Sequence, residues 1–156
     1  MPDGNTAPPT LVLDRTLSLR DAVAIAEGRA HVAIAEAARV RLAAARHRLA
    51  ATIAERRHVY GINTGFGPLA NRLIDTEDGV TLQQNLVHHL ATGQGPDFAW
   101  VEARAIVLAR LMSILQGASG ASEATVGALT AVLDGPFAPA IPSRGTVGAS
   151  GDLTPL

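Results

Sequence analysis

The run from Phe98 to Gln116 sets the tightest limit on how this chain folds. Val101, Ile106, Val107, Leu108, Leu111, Met112, Ile114 and Leu115 place apolar groups nearly all round a helix of that length, with Asp97 positioned as its cap. Such a helix is stable only with other elements packed around it. Glu102, Arg104 and Arg110 interrupt the run too often for a membrane span, so it predicts a helix buried inside a bundle.

The neighbouring segments supply partners for that helix. Leu11, Val12 and Leu13 form a short strand candidate, and Ser18 with Asp21 three residues on predicts a capped helix through Ala26, stopped by Gly28. From His31 to about Arg57, apolar residues recur at helical spacing (Ile34, Ala38, Leu42, Ala45, Leu49, Ile53), which predicts one long amphipathic helix. A helix from about Val80 to Thr92 is closed by Gly93 and Gly95, and another from Ser122 to about Leu133 is terminated by Asp134, Gly135 and Pro136. The segment PFAPAIPSRG reads as irregular chain stiffened by its prolines. The fold class is mainly α with short strands.

Charge and cysteine usage exclude several functions. All 13 basic residues are arginine, spread along the chain and balanced by 14 acids, which argues against a nucleic-acid partner or a membrane-binding basic helix. There is no cysteine, hence no disulfide framework and no thiolate metal site. His31, His47 and His58 sit singly, and the adjacent His88 and His89 point to different sides of their helix, so none has a second metal ligand at helical spacing. Residues 1–10 are rich in proline and polar groups, with no basic start and no apolar core of a signal peptide, and are expected to form a disordered arm of a cytoplasmic protein.

Two glycine-rich stretches carry the chemistry. VYGINTGFGPLANR, Val59 to Arg72, holds Gly61, Gly65, Gly67 and Pro68 and must be a loop; its spacing is neither that of a dinucleotide fingerprint nor that of a Walker sequence. GTVGASGDLTPL, Gly145 to Leu156, sets four small residues, Gly148 to Gly151, between bulkier flanks. Gly151 lacks a Cβ, so its nitrogen can approach the carbonyl carbon of Ala149 in a geometry most residues block. Ring closure there with loss of one water, then loss of the Ser150 hydroxyl as a second, would leave an exocyclic methylene, an electrophile made from backbone. An Ala-Ser-Gly tripeptide alone is equally an ordinary turn, and GASG also occurs at Gly117 to Gly120, where it reads as a helix stop followed by the next helix's cap.

GTVGASGDLTPL and YGxNTGFG together resemble the signatures of the aromatic amino-acid ammonia-lyase family, the histidine, phenylalanine and tyrosine ammonia-lyases and related aminomutases. The resemblance implies that 11–156 is the N-terminal part of a large helical-bundle lyase, with a lid loop at 59–72 and a cofactor-forming loop at 145–156. It implies that Ala149, Ser150 and Gly151 mature into a 4-methylidene-imidazol-5-one, that this group activates the substrate amine in place of an external cofactor, and that Tyr60 takes the β-proton. Gly67 and Leu153 would line the pocket, and a homotetramer would share active sites between subunits. At the pair matching the family's ring-selecting positions this chain has His89 and Leu90, as tyrosine ammonia-lyases do. Physically, an imidazole can hydrogen-bond a phenol hydroxyl while leucine packs on the ring. Gln83 and Gln84 read as polar neighbours of His89. The implied reaction converts L-tyrosine to p-coumarate and ammonia, with some conversion of phenylalanine to cinnamate. The alternatives are a tyrosine 2,3-aminomutase, a phenylalanine or histidine lyase, and an inactive helical fragment used in assembly.

Overall fold

Strand β1 (Thr10–Leu13) and strand β2 (His31–Ile34) pair in parallel, with Thr10 opposite His31 and Leu13 opposite Ile34. The computed structural model describes residues 7–75 and 77–145. Helix α1 (Leu19–Ala26) makes the crossover between the two strands, and it starts where expected: the Ser18 hydroxyl accepts a hydrogen bond from the Asp21 amide at 3.1 Å. Gly28, at φ +70°, follows its end.

The long helix expected from His31 is shorter than its periodicity suggests. Helix α2 runs Glu36–Ala54, and the residues before it belong to β2. Val32 and Ile34 are β-branched and lie beside an available strand, so pairing with β1 outweighs the helical spacing that Ile34 shares with Ala38 and Leu42. The Val32 amide, on the edge away from β1, is satisfied by the Asp134 carboxylate at 2.9 Å.

The chain divides into two compact units, one of residues through Arg46 together with Asp97–Ile141, the other of His47–Pro96 and the residues from Pro142. The first unit contains β1, α1, β2, the first half of α2, helix α4 (Trp100–Leu115) and helix α5 (Glu123–Asp134). Its core joins Leu13, Ile25, Val32, Ala38, Leu42, Leu108, Leu111, Leu115, Val126 and Leu133. Helix α4 is central but not enclosed on every side, since Val101, Glu102, Ala105 and Ala109 stay exposed. Its cap also differs from expectation. Asp97 closes a strand, and the amide of Ala99 is instead held by the Glu102 carboxylate at 2.8 Å, one turn into the helix. Ser122 caps α5 as expected, accepting from the Thr125 amide at 3.2 Å.

Of the three charged residues in α4, Glu102 and Arg110 are exposed and Arg104 belongs to the core. It is buried, with 1% of its surface exposed, and its guanidinium reaches the backbone carbonyls of Ile25, Ala26, Val132, Leu133, Gly135 and Phe137. Those oxygens lie at and beyond the C-terminal ends of α1 and α5, where carbonyls outnumber backbone donors and the helix dipole favours a cation; that of Ile25 also accepts from the Gly28 amide at 3.0 Å. Trp100 stacks on the guanidinium, 4.5 Å from ring centroid to Cζ. Burial lowers the Arg104 pKa from its ordinary value, and Asp134 opposes the shift.

The second unit contains the rest of α2, the loop that follows it, helix α3 (Gly79–Leu90), and the paired strands β3 (Gln94–Asp97) and β4 (Pro142–Arg144). The proline-rich approach therefore ends in a short strand rather than in irregular chain. Leu82, Leu86 and Leu90, four apart, form the half-buried stripe of α3.

Candidate active site

The loop after α2 is folded by its own side chains. The Asn63 side chain accepts from the Val59 amide at 2.7 Å and donates to the Arg57 carbonyl at 2.8 Å. Thr64 is fully buried, and its hydroxyl accepts from the Gly61 amide at 3.2 Å and donates to the Gly65 carbonyl at 3.0 Å. Short backbone bonds from Gly65 to Arg72 and from Ile74 to Asn63, with an isolated antiparallel bridge between Thr64 and Leu73, close the loop at its base. Two glycines are sterically required. Gly61 sits at φ +73°, and a Cβ on Gly65 would lie 2.6 Å from the Cβ of Leu69, well inside contact distance.

Tyr60 is presented by this loop with 64% of its surface exposed. Its phenol oxygen accepts a hydrogen bond from the Gly67 amide at 3.2 Å, at the start of a 3-10 turn over Gly67–Leu69, and Phe66 packs edge-on against its ring at 6.0 Å between centroids. Two of the expected site residues, Tyr60 and Gly67, are thus in direct contact. Among the described residues the phenol hydroxyl donates to no acceptor.

His89 and Leu90 occupy the last turn of α3, His89 exposed and Leu90 half-buried. Among the described residues no hydrogen bond joins either of them to Tyr60. The connection runs through Gln83, whose side-chain amide donates to the Gly61 carbonyl at 2.7 Å. Gln83 is therefore committed to the loop rather than to His89. Its residue type allows both roles, and only the packed structure distinguishes them. Asn63 and Thr64 lie inside the YGxNTGFG stretch, yet that pattern does not say that they brace the tyrosine.

Ala149, Ser150, Gly151 and Leu153 lie outside the described residues. The chain entering that stretch is anchored, because β4 is paired with β3 and the Arg144 side chain lies over Gly95 so closely that a Cβ there would come within 3.1 Å. An apolar groove of about 460 Å³ belongs to the first unit and is lined by Leu17, Leu19, Val23, Val101, Leu108 and Met112. Among the described residues Glu102 is its one ionisable lining residue. Among the described residues no three His, Cys, Asp or Glu side chains converge as a metal site, and no helix is long and apolar enough to cross a membrane.

A mainly helical fold with a glycine-braced tyrosine loop beside a helix ending in His-Leu defines a class, and comparison with known proteins identifies it. The sequence pattern of the family described as aromatic amino acid lyase matches residues 17–156, and the chain belongs to that family. It is 61% identical over 148 residues to tyrosine ammonia-lyase of Cereibacter sphaeroides, covering 95% of this chain and 28% of that protein. Histidine ammonia-lyase of Anaeromyxobacter dehalogenans is 45% identical over 94% of this chain and 29% of its own length. The crystal structure of tyrosine aminomutase from Streptomyces globisporus superposes with a TM-score of 0.85 at 33% identity, covering 94% of this chain and 27% of that one. The chain thus spans less than a third of the length of the relatives it matches.

Proposed function

We propose that this chain is the N-terminal part of an ammonia-lyase that eliminates ammonia from L-tyrosine to give p-coumarate, with lesser conversion of L-phenylalanine to cinnamate. The observation that carries the reading is the 61% identity to a tyrosine ammonia-lyase across 95% of the chain. The His89-Leu90 pair at the end of α3 supports the choice of tyrosine, because a ring nitrogen can bond the phenol hydroxyl while the leucine packs on the ring. Among the relatives, identity is lower to the histidine enzymes, at 45%, and the likeness to an aminomutase is one of fold at 33%.

In this reading Ala149, Ser150 and Gly151 form a 4-methylidene-imidazol-5-one, and their chemistry fits: serine supplies the methylene carbon and its leaving hydroxyl, glycine the unhindered nitrogen. That group supplies an electrophile that makes the substrate amine a better leaving group. Tyr60, acting as its phenolate, accepts the β-proton at the oxygen that the Gly67 amide already holds in place. The loop of 59–72, braced by Asn63 and Thr64, covers the substrate and excludes water, and Gly67 and Leu153 contribute to the wall. The intact enzyme is a cytoplasmic homotetramer with active sites shared between subunits.

Mass spectrometry with product analysis tests the proposal in a protein of the relatives' length. The intact mass should fall short of the sequence mass by two waters, and tyrosine should yield p-coumarate without β-tyrosine. Ser150→Ala should remove both the mass deficit and the reaction, while Ser119→Ala in the other GASG copy leaves both. Retained activity in Ser150→Ala would refute the proposed electrophile.

A further inference from the structure

We propose that Gln83 is a positioning residue for Tyr60, fixing the tyrosine relative to the ring-selecting end of α3; the proposal rests on Tyr60 acting as the base. The side-chain bonds of Asn63 and Thr64 join residues no more than six apart in sequence. They shape the loop internally but cannot locate it against anything else. The Gln83 bond spans 22 residues and, among the described residues, is the one side-chain hydrogen bond between this loop and α3. Its acceptor is the carbonyl of Gly61, the residue after Tyr60. Because Gly61 is held at φ +73° and its amide is taken by Thr64, both ends of that residue are tied: one to the loop, the other to the helix.

The same helix carries the selectivity pair. Leu90 follows Gln83 by seven residues, two helical turns, and so lies on nearly the same face, with His89 adjacent. One glutamine amide thereby sets the separation between the proton acceptor and the groups that grip the ring. The geometry matters because a base must stand within hydrogen-bond reach of its proton, and a displacement of about 1 Å can cost a reaction up to about 10²-fold.

Two arms test this. Tyr60 is the only tyrosine of the 156-residue chain, so ring-¹³C-tyrosine labelling gives a single set of NMR signals. Gln83→Met, similar in length without a donor, should shift or broaden that set while the thermal transition stays in place. Gln83→Lys, which restores an N–H donor at similar reach, should return it. If Gln83→Met does not fold, Gln83→Glu, of the same shape with no donor, takes its place. Unmoved Tyr60 signals in a folded variant overturn the proposal. In a protein of the relatives' length, Gln83→Met should lower kcat for tyrosine about tenfold with KM within about twofold, the loss expected for one hydrogen bond. Added to Tyr60→Phe it should slow the reaction no further, and Gln83→Lys should recover most of the rate; additive losses would overturn the positioning role. If the wild type deaminates no aromatic amino acid, the reading of Tyr60 as base falls, and the NMR arm by itself decides whether Gln83 holds it.

Discussion

Replacing Arg104 by methionine should destabilise the chain more than most other single substitutions in the first unit. The new side chain fills the stem of the old one but donates nothing. Of the six carbonyls, that of Ile25 keeps the Gly28 amide as a partner, while those of Ala26 and Leu133 belong to buried residues and would lose their charged donor. A hydrogen bond to a charged donor contributes about 1.5–3 kcal/mol net of desolvation, so losing these two costs roughly 3–6 kcal/mol. That is a large share of the roughly 5–15 kcal/mol that holds a protein of this size together. Thermal unfolding followed by circular dichroism should show Tm lower by about 10–15 °C, and Gln, which keeps one donor, should fall between. The pH dependence follows from the lowered Arg104 pKa. An arginine that is less basic when folded makes stability rise with pH only between its folded and unfolded values, because there the unfolded chain holds more protons. That window lies in the alkaline range below the ordinary arginine value, and Arg104→Met should remove the slope there. A methionine variant within about 1 kcal/mol of wild type would show that water already satisfies these carbonyls and that the clasp is incidental.

Two further outcomes concern the proposed reaction in a protein of the relatives' length. Tyr60→Phe should preserve KM within a few-fold and lower kcat by about 10²–10⁴, because the ring contact with Phe66 survives while the proton acceptor is lost; a change confined to KM would contradict the role of base. His89→Phe should move the ratio of kcat/KM from tyrosine toward phenylalanine by about 10², the discrimination lost with one hydroxyl partner in a pocket that becomes apolar. With Gln83 held by Gly61, His89 cannot rely on it as a substitute partner when phenylalanine binds, and an unchanged ratio would place ring selection elsewhere.

What the sequence determined by itself is local. The caps at Ser18 and Ser122, the stops at Gly28 and Gly135, the buried stripe of Ala38, Leu42 and Ala45, and a glycine loop presenting Tyr60 all depend on residues within a few positions of one another. The family was legible for the same reason, since each of its two signatures is one short uninterrupted string. The tertiary structure decided whatever depends on partners far along the chain. His31–Ile34 has the spacing of a helix, yet pairs as a strand because β1 lies alongside it. Arg104 has the composition of a surface charge, but is buried because carbonyls 78 and 79 residues away at the end of α1 converge on it with those at and beyond the end of α5. Asp97 looks like a cap and instead ends β3, since Glu102 reaches the amide first. Gln83, one of two adjacent glutamines on the helix that carries the proposed selectivity pair, bonds the loop that carries Tyr60 because packing brings the Gly61 carbonyl within its reach. Periodicity and capping report on neighbours within a turn or two, whereas each of these outcomes is set by a backbone group that only the folded chain brings close.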